Sequence, residues 1–271
     1  MYISRLLIDI GGNPDRPRPG RRWLSNVYHV HQRLSMAFPS KALKESDPDF
    51  LQPYDPGHFE RTRFLFRIDN QIAENCPRAM ILVQSLAAPD WDYAFHNARM
   101  FLAAEPEVRQ FDPALYENEA LRFRIRVNLS KKSKHSREGE QLSKKRGEVD
   151  SKGRLKEQSK RVALTWKREE NETPDEVIRQ WFSEKGKHCG FDLRDCRLMH
   201  LGWLTAYKPK MKSMPVDGED PGRPMRFRTA LLEGNLCITE LDRFRETLAT
   251  GIGSAKAFGF GLLSIARVFD D

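Results

Sequence analysis

The order of apolar and polar runs predicts an α+β fold: two tandem ferredoxin-like domains, each β-α-β-β-α-β with an antiparallel sheet. Three observations carry this. Runs with period-two alternation open and close each half of the 271-residue chain. Two helical stretches fall between strands in each half. No apolar run is long enough to span a bilayer.

The first half reads as a strand at 2–9 and a helix at 25–38. Strands near 60–69 and 78–86 follow, then a helix near 91–103 and a short strand near 107–112. Pro and Gly clusters at 11–20 and 53–57 mark long loops. The expected N-terminal domain is 1–115. The second domain, 119–271, reads as a strand at 119–129, a basic arm at 131–161 and a helix at 174–187. Strands near 194–207 and 223–237, a helix at 239–250 and a strand at 262–268 complete it. Thr173 is placed to cap the middle helix, Pro174 suits its first turn, and Gly186 can end it. Ser25 is the expected cap of the first helix.

The net charge is +8 and the pI about 9.3, a balance that favours polyanions. The excess is concentrated. Residues 131–161 hold twelve Lys or Arg against five Asp or Glu, a surplus of +7, with only three aliphatic residues. Such a stretch cannot bury a core of its own and is expected to be a loop. Lys144, Lys145, Arg146, Lys152, Lys160 and Arg161 are its best candidates for phosphate contact. A solvated insertion is the competing reading. Rows of arginine alternate with apolar residues in "LRFRIRVNL", "RTRFLFRID" and "RPMRFRTALL", which suits a sheet facing an RNA backbone. Arginines that merely solubilise a one-sided sheet would look the same.

Four cysteines, Cys76, Cys189, Cys196 and Cys237, lack CxxC spacing, so neither a zinc site nor a disulfide framework is suggested. They fit thiols in a reducing cytoplasm. "MYISRLLIDI" is too short and strand-like for a signal peptide.

The segment "GIGSAKAFGFGLLSIARV" places Gly251, Gly253, Gly259 and Gly261 between a helix and a strand, with Lys256 among them. The dinucleotide fingerprint has the opposite order, so no helix N-terminus is offered by this loop. Two readings stand side by side: bare amides and Lys256 against a phosphodiester backbone, or a tight structural connection with Gly251 as helix C-cap.

On the first helix, Val27, Val30, Leu34, Ala37 and Phe38 form an apolar stripe. At about 100° per residue, Tyr28, His31 and Ser35 share one flank of it and His29 points elsewhere. His31 and Tyr28 can therefore meet one reacting group. A histidine beside a core stripe can equally be structural. No acidic cluster with metal-ligand spacing lies near this helix, so neither a metal nor another cofactor is expected.

The glycine-rich ending resembles the C-terminal signature of the CasE proteins, the repeat-RNA endoribonucleases of the type I-E CRISPR Cascade complex. "MYISRLLID" is similar to their first strand, "VYHVHQRLSMAFP" to their first helix, and "SKKRGEVDSKGRLKEQSKRVAL" to their basic segment. "LLEGNL" stands where they carry an "FEG"-like strand. The resemblance implies RRM-like domains of the RAMP type and His31 as catalytic histidine with Tyr28 as companion. It further implies cutting of CRISPR repeat RNA at the base of a hairpin, and assembly with Cascade backbone subunits around the retained guide. RNA brings its own nucleophile, the 2′-hydroxyl, so the products would be a 2′,3′-cyclic phosphate and a 5′-hydroxyl. His31, with an ordinary pKa of about 6.5, is assigned to proton transfer as general acid at the leaving 5′-oxygen, its charged form favoured by phosphates. A non-catalytic RNA-binding subunit of the same fold and a generic nucleic-acid chaperone are the alternatives.

Overall fold

In a computed structural model, residues 1–12, 17–47, 64–73, 76–133, 144–149, 155–157, 160–166, 172–208 and 223–268 are described. Two four-stranded antiparallel sheets organise them. The first is built from β1 (Tyr2–Asp9), β2 (Phe64–Ala73), β3 (Cys76–Ser85) and β4 (Glu107–Gln110), in the order β2-β3-β1-β4. The second uses β5 (Ala120–Asn128), β10 (Phe191–Lys208), β11 (Arg223–Ile238) and β12 (Leu263–Arg267), in the order β10-β11-β5-β12. Each has its first strand central beside the third, which is the ferredoxin-like order.

Local chemistry explains most helices. α5 (Pro174–His188) opens on a complete capping box: Thr173 accepts from the Glu176 amide, and Glu176 accepts from the Thr173 amide. Ile178, Trp181 and Phe182 give it a buried stripe. It runs past Gly186, which was expected to end it. Gly186 instead lets the helix lie against Phe191, and a Cβ there would sit 2.8 Å from the Phe191 carbonyl oxygen. The chain turns at Gly190, with φ +80°.

The first helix differs from expectation in a similar way. α2 (Val27–Ser35) is capped by Asn26, whose side chain accepts from the Tyr28 amide, while Ser25 donates to the Arg22 carbonyl of a preceding short helix, α1 (Pro19–Leu24). A third helix, α3 (Lys41–Ser46), is capped by Ser40. The helix expected at 91–103 is split into α4 (Trp91–Phe95) and a 3₁₀ turn at Arg99–Phe101. The final helix, α6 (Leu241–Thr250), stops at Gly251, where φ is +73°.

The basic stretch is not wholly loop. β6 (Ser130–Ser133) pairs antiparallel with β9 (Lys160–Ala163), and β7 (Lys144–Val149) with β8 (Leu155–Glu157). Backbone hydrogen bonds in these two short ladders pair groups that a loop would leave to solvent. Of the loop expected at 11–20, residues 13–16 lie outside the described residues and Pro19 and Gly20 instead open α1; the loop expected at 53–57 lies wholly outside them. No helix among those described is long and apolar enough to cross a membrane.

β2 is covered on both faces. Phe66 enters the first core with Ile81, Val30 and Leu34. Leu65, Arg67 and Asp69 turn the other way and are also buried. Arg67 was expected to belong to a solvent-facing arginine row. It is 3 % exposed, its Nε donates to both Asp69 carboxylate oxygens at 3.0 Å, and its Nη1 donates to the Arg124 carbonyl and Ser264 hydroxyl. A single buried arginine thus joins β2 to β5 and β12. Gln84 of β3 donates to the Leu248 carbonyl of α6 at the same seam. Arg124, by contrast, stays at the surface beside Glu233 at 3.2 Å.

Removing one partner of a buried ion pair strands the other charge, at a cost of about 3–5 kcal/mol. Arg67→Met is expected to lower the unfolding free energy by about that amount in urea titration. The double change Arg67→Met/Asp69→Leu is expected to recover much of it.

Candidate active site

α2, β2 and the 251–261 segment meet where the two sheets adjoin. His31 sits on α2 with its ring stacked on Phe64, centroids 5.2 Å apart, and lies near-parallel to Phe66 at 6.3 Å. Its Nδ1 is buried with no hydrogen-bond partner among the described residues. Burial in this aromatic setting pushes its pKa down to about 4. The free protein therefore holds a neutral imidazole at pH 7. The charged form expected of an acid rests on RNA phosphates beside the ring; in the free protein burial alone acts on it and lowers its pKa.

The ring is not sealed in. It lines a cleft of about 340 Å³ with Phe64, Leu65, Ala249, Thr250, Lys256 and Ala257. Two of the sequence candidates, His31 and Lys256, thus face one space although they lie 225 positions apart. Tyr28 is half-buried and is not among the lining residues; its ring leans toward His29, centroids 6.3 Å apart. Ser35, on the expected flank, donates to the His31 carbonyl.

The glycines divide into two sorts. Gly251 and Gly261 are fixed by protein: the Ile252 amide donates to the Gly261 carbonyl, and the Gly261 amide donates to the Arg126 carbonyl. A Cβ at Gly261 would sit 2.5 Å from the Ile252 oxygen, and one at Gly251 2.8 Å from Leu65. Gly259 lies over Phe66, where a Cβ would come within 3.2 Å. The space at Gly251 and Gly259 is taken by Leu65 and Phe66 of the first half and that at Gly261 by Ile252 of the second, as the tight-connection reading has it. Gly253 alone has nothing within 4 Å of its Cβ position. Next to it, Ser254 is hydrogen-bonded by Asn128 and lies 3.0 Å from the Ser130 hydroxyl, tying the segment to the root of the basic arm. Phe260 is fully buried and Phe258 joins the first core; both pack on Phe227.

In the arm, Lys144, Lys145 and Arg146 lie on β7 and Lys160 on β9; Arg161 of β9 is exposed. Lys152 lies outside the described residues.

Asn26 was missed. Beyond capping α2, its Nδ2 donates to the Tyr207 carbonyl at 3.0 Å and its Oδ1 accepts from the Tyr207 amide at 3.2 Å. One amide side chain pins the helix bearing His31 to the β10–β11 hairpin. The signal was weak in the sequence: an Asn one residue after a Ser, both good caps. Phe64 and Phe66 were also missed as neighbours of His31, although their alternation with Leu65 and Arg67 was visible.

Two ferredoxin-like sheets with a histidine–lysine cleft at their junction define a class: tandem ferredoxin-like α+β proteins with the site at the seam. The family whose model matches residues 1–267 is described as CRISPR associated protein, and the chain belongs to that family. The CRISPR-associated endoribonuclease Cse3 of Thermus thermophilus is 29 % identical over 272 residues, covering 98 % of this chain and all of that protein. A solved structure of CRISPR endoribonuclease Cse3 bound to 19-nt RNA is 28 % identical, with a TM-score of 0.65 over 98 % of this chain and 100 % of that one. Cas6e from Escherichia coli K-12 shares the fold at 21 % identity, with a TM-score of 0.53 over 99 % and 100 % of the two chains.

The depressed His31 pKa has a consequence for stability. Below pH 6.5 the unfolded chain binds a proton at this ring that the folded chain refuses until about pH 4. The contribution is present above pH 6.5 and lost as pH falls toward 4. Comparing unfolding free energies at pH 7 and 4.5, the wild type is expected to lose about 2–3 kcal/mol more than His31→Asn.

Proposed function

We propose that this protein is an endoribonuclease that cuts CRISPR repeat RNA at the base of its hairpin, with His31 transferring the proton and Lys256 beside the phosphate. The observation that carries the reading is the shared cleft of His31 and Lys256 at the seam, in a chain that matches an RNA-bound endoribonuclease over its whole length.

The neutral ring points to the order of events. His31 accepts the proton of the 2′-hydroxyl as its oxygen attacks phosphorus. The bond from phosphorus to the 5′-oxygen breaks, and that oxygen takes a proton from solvent. A 2′,3′-cyclic phosphate and a 5′-hydroxyl result, with no metal ion in the step. The Lys256 ammonium offsets charge that grows on the phosphoryl oxygens, and such stabilisation is strongest in a site that excludes water. General base catalysis supplies about 10²–10⁴-fold, so alignment of the attacking oxygen must supply much of the rest. Tyr28, at the rim of α2, positions the scissile phosphate. Gly253 gives the RNA backbone room to approach, and the arm residues Lys144, Lys145, Arg146, Lys152, Lys160 and Arg161 hold the stem. The chain divides between 115 and 119 into a domain bearing the histidine and a domain bearing the arm. The protein works in the cytoplasm, keeps the processed guide and joins Cascade backbone subunits.

A second reading, a non-catalytic RNA-hairpin subunit, draws on the stacking of His31 on Phe64, which is also how a structural histidine packs. Labelled repeat RNA incubated in EDTA separates the two. Cleavage with cyclic-phosphate ends, blocked by a 2′-deoxy nucleotide at the scissile position, is the expected result. His31→Ala is expected to lose cleavage by at least 10²-fold while keeping hairpin affinity, and His29→Ala to cut almost normally. Binding without any cleavage by the unaltered protein would establish the second reading.

A further inference from the structure

The β10–β11 hairpin carries a second surface that the cleavage site does not use. Leu204 of β10 packs toward the first core and Ala206 is buried on the same side. Trp203 and Tyr207 alternate to the opposite face, where they are 54 % and 41 % exposed. Across the ladder, Arg228 pairs with Trp203 and Arg226 with Thr205. Both guanidiniums lie near the Trp203 ring, at 5.2 Å for Arg226 and 5.6 Å for Arg228. Arg228 also sits 3.5 Å over the ring of Trp166 and donates to the Leu164 carbonyl. Among the described residues no carboxylate forms an ion pair with Arg226 or Arg228.

An exposed indole held between two unneutralised arginines is costly to keep for packing alone, since it buries little. It suits a ligand that has a flat π-face and an anion close together. A nucleotide has both. Trp203 offers a stacking surface, and Arg226 and Arg228 offer charge to the adjoining phosphates. The surface lies at the root of the basic arm: Leu129, just before β6, donates its amide to the Arg228 carbonyl, and Trp166 follows β9. At its other end, Tyr207 is pinned by Asn26 to the helix of His31.

We infer that Trp203, Arg226 and Arg228 form a stacking platform for an unpaired nucleotide of RNA flanking the hairpin stem. This rests on the reading of the protein as a repeat-RNA nuclease. An acidic peptide would also meet the arginines, but it has no use for the exposed indole face.

The test compares the unaltered protein with Trp203→Ala, Trp203→Phe and Arg226→Gln. The probes are a repeat hairpin trimmed to its stem, the same hairpin with single-stranded flanks on either side, the flanked hairpin with abasic flanks, an unrelated flanked hairpin, and a short unpaired oligonucleotide. All have 2′-deoxy nucleotides at and beyond the base of the stem, so none is cut. Trp203→Ala is expected to bind a flanked hairpin about tenfold more weakly and the trimmed one equally well. Trp203→Phe is expected to restore most of the loss. Abasic flanks are expected to remove the difference. Arg226→Gln is expected to flatten the salt dependence of flanked binding by roughly one unit of slope. Because Trp203 is exposed, melting temperatures should match. Equal flanked affinities for wild type and Trp203→Ala would overturn the platform, as would a loss that persists with abasic flanks. The oligonucleotide keeps the two proposals separable. If Trp203→Ala weakens oligonucleotide binding but the wild type does not distinguish repeat from unrelated hairpins, the platform stands and the repeat-nuclease reading falls.

Discussion

The close passage of the 251–261 backbone against β2 governs the rest of this structure. Leu65 and Phe66 occupy space that side chains at Gly251 and Gly259 would fill. Only because that space is free can a segment of the second half lie over the first and bring Lys256 to the cleft lined by His31. The same segment is anchored at both ends, through the Arg126 carbonyl and through Ser254 at the root of the arm. A protein with its site inside one domain could tolerate slack between domains. Here slack would separate the two candidate groups, and the buried Arg67–Asp69 pair holds the seam from the other side. That pair reads better as a device of position than of stability, since buried ion pairs rarely outperform apolar packing.

Closure at the seam also sets the chemistry. Stacking on Phe64 and Phe66 removes water from one side of His31 and disfavours its charge. A neutral imidazole accepts protons but cannot donate one as an imidazolium. In the proposed reaction a bound phosphate opposes the desolvation by stabilising positive charge, so that the ring takes the 2′-hydroxyl proton once RNA is in place. Lowering a base's pKa weakens it, so the arrangement favours alignment over raw basicity.

Much of the fold was legible because its determinants are local. Thr173 and Glu176 announce a capping box three residues apart, and alternation in "LRFRIRVNL" announces β5. Errors arose where distant contacts decide. Arg67 sits in an alternating run and looked solvent-facing; nothing nearby in sequence reveals that Arg124 and Ser264 receive its guanidinium. The basic stretch has too few aliphatic residues to suggest strands, yet β6 pairs with β9 and β7 with β8. Asn26 displaced Ser25 as cap because its longer side chain also reaches Tyr207. At the site, helical periodicity placed His31 beside the apolar stripe correctly, but it carried no word of Phe64, on which the ring stacks. The glycines were visible, whereas the reason for two of them was not: the neighbours of Gly251 and Gly259 lie on β2, nearly two hundred residues earlier.

The central claim is that a buried, neutral His31 accepts the proton in RNA cleavage. Its most direct test is the pH profile of single-turnover cleavage with protein far below saturation, which reports the ionisation of the free protein. The account predicts a rate that rises through about pH 4 and stays level from roughly pH 5.5 to 8, with the acid limb absent from the residual activity of His31→Ala. A rate that instead falls as pH rises through 6 to 7 would mean that a protonated histidine does the work, and would contradict it.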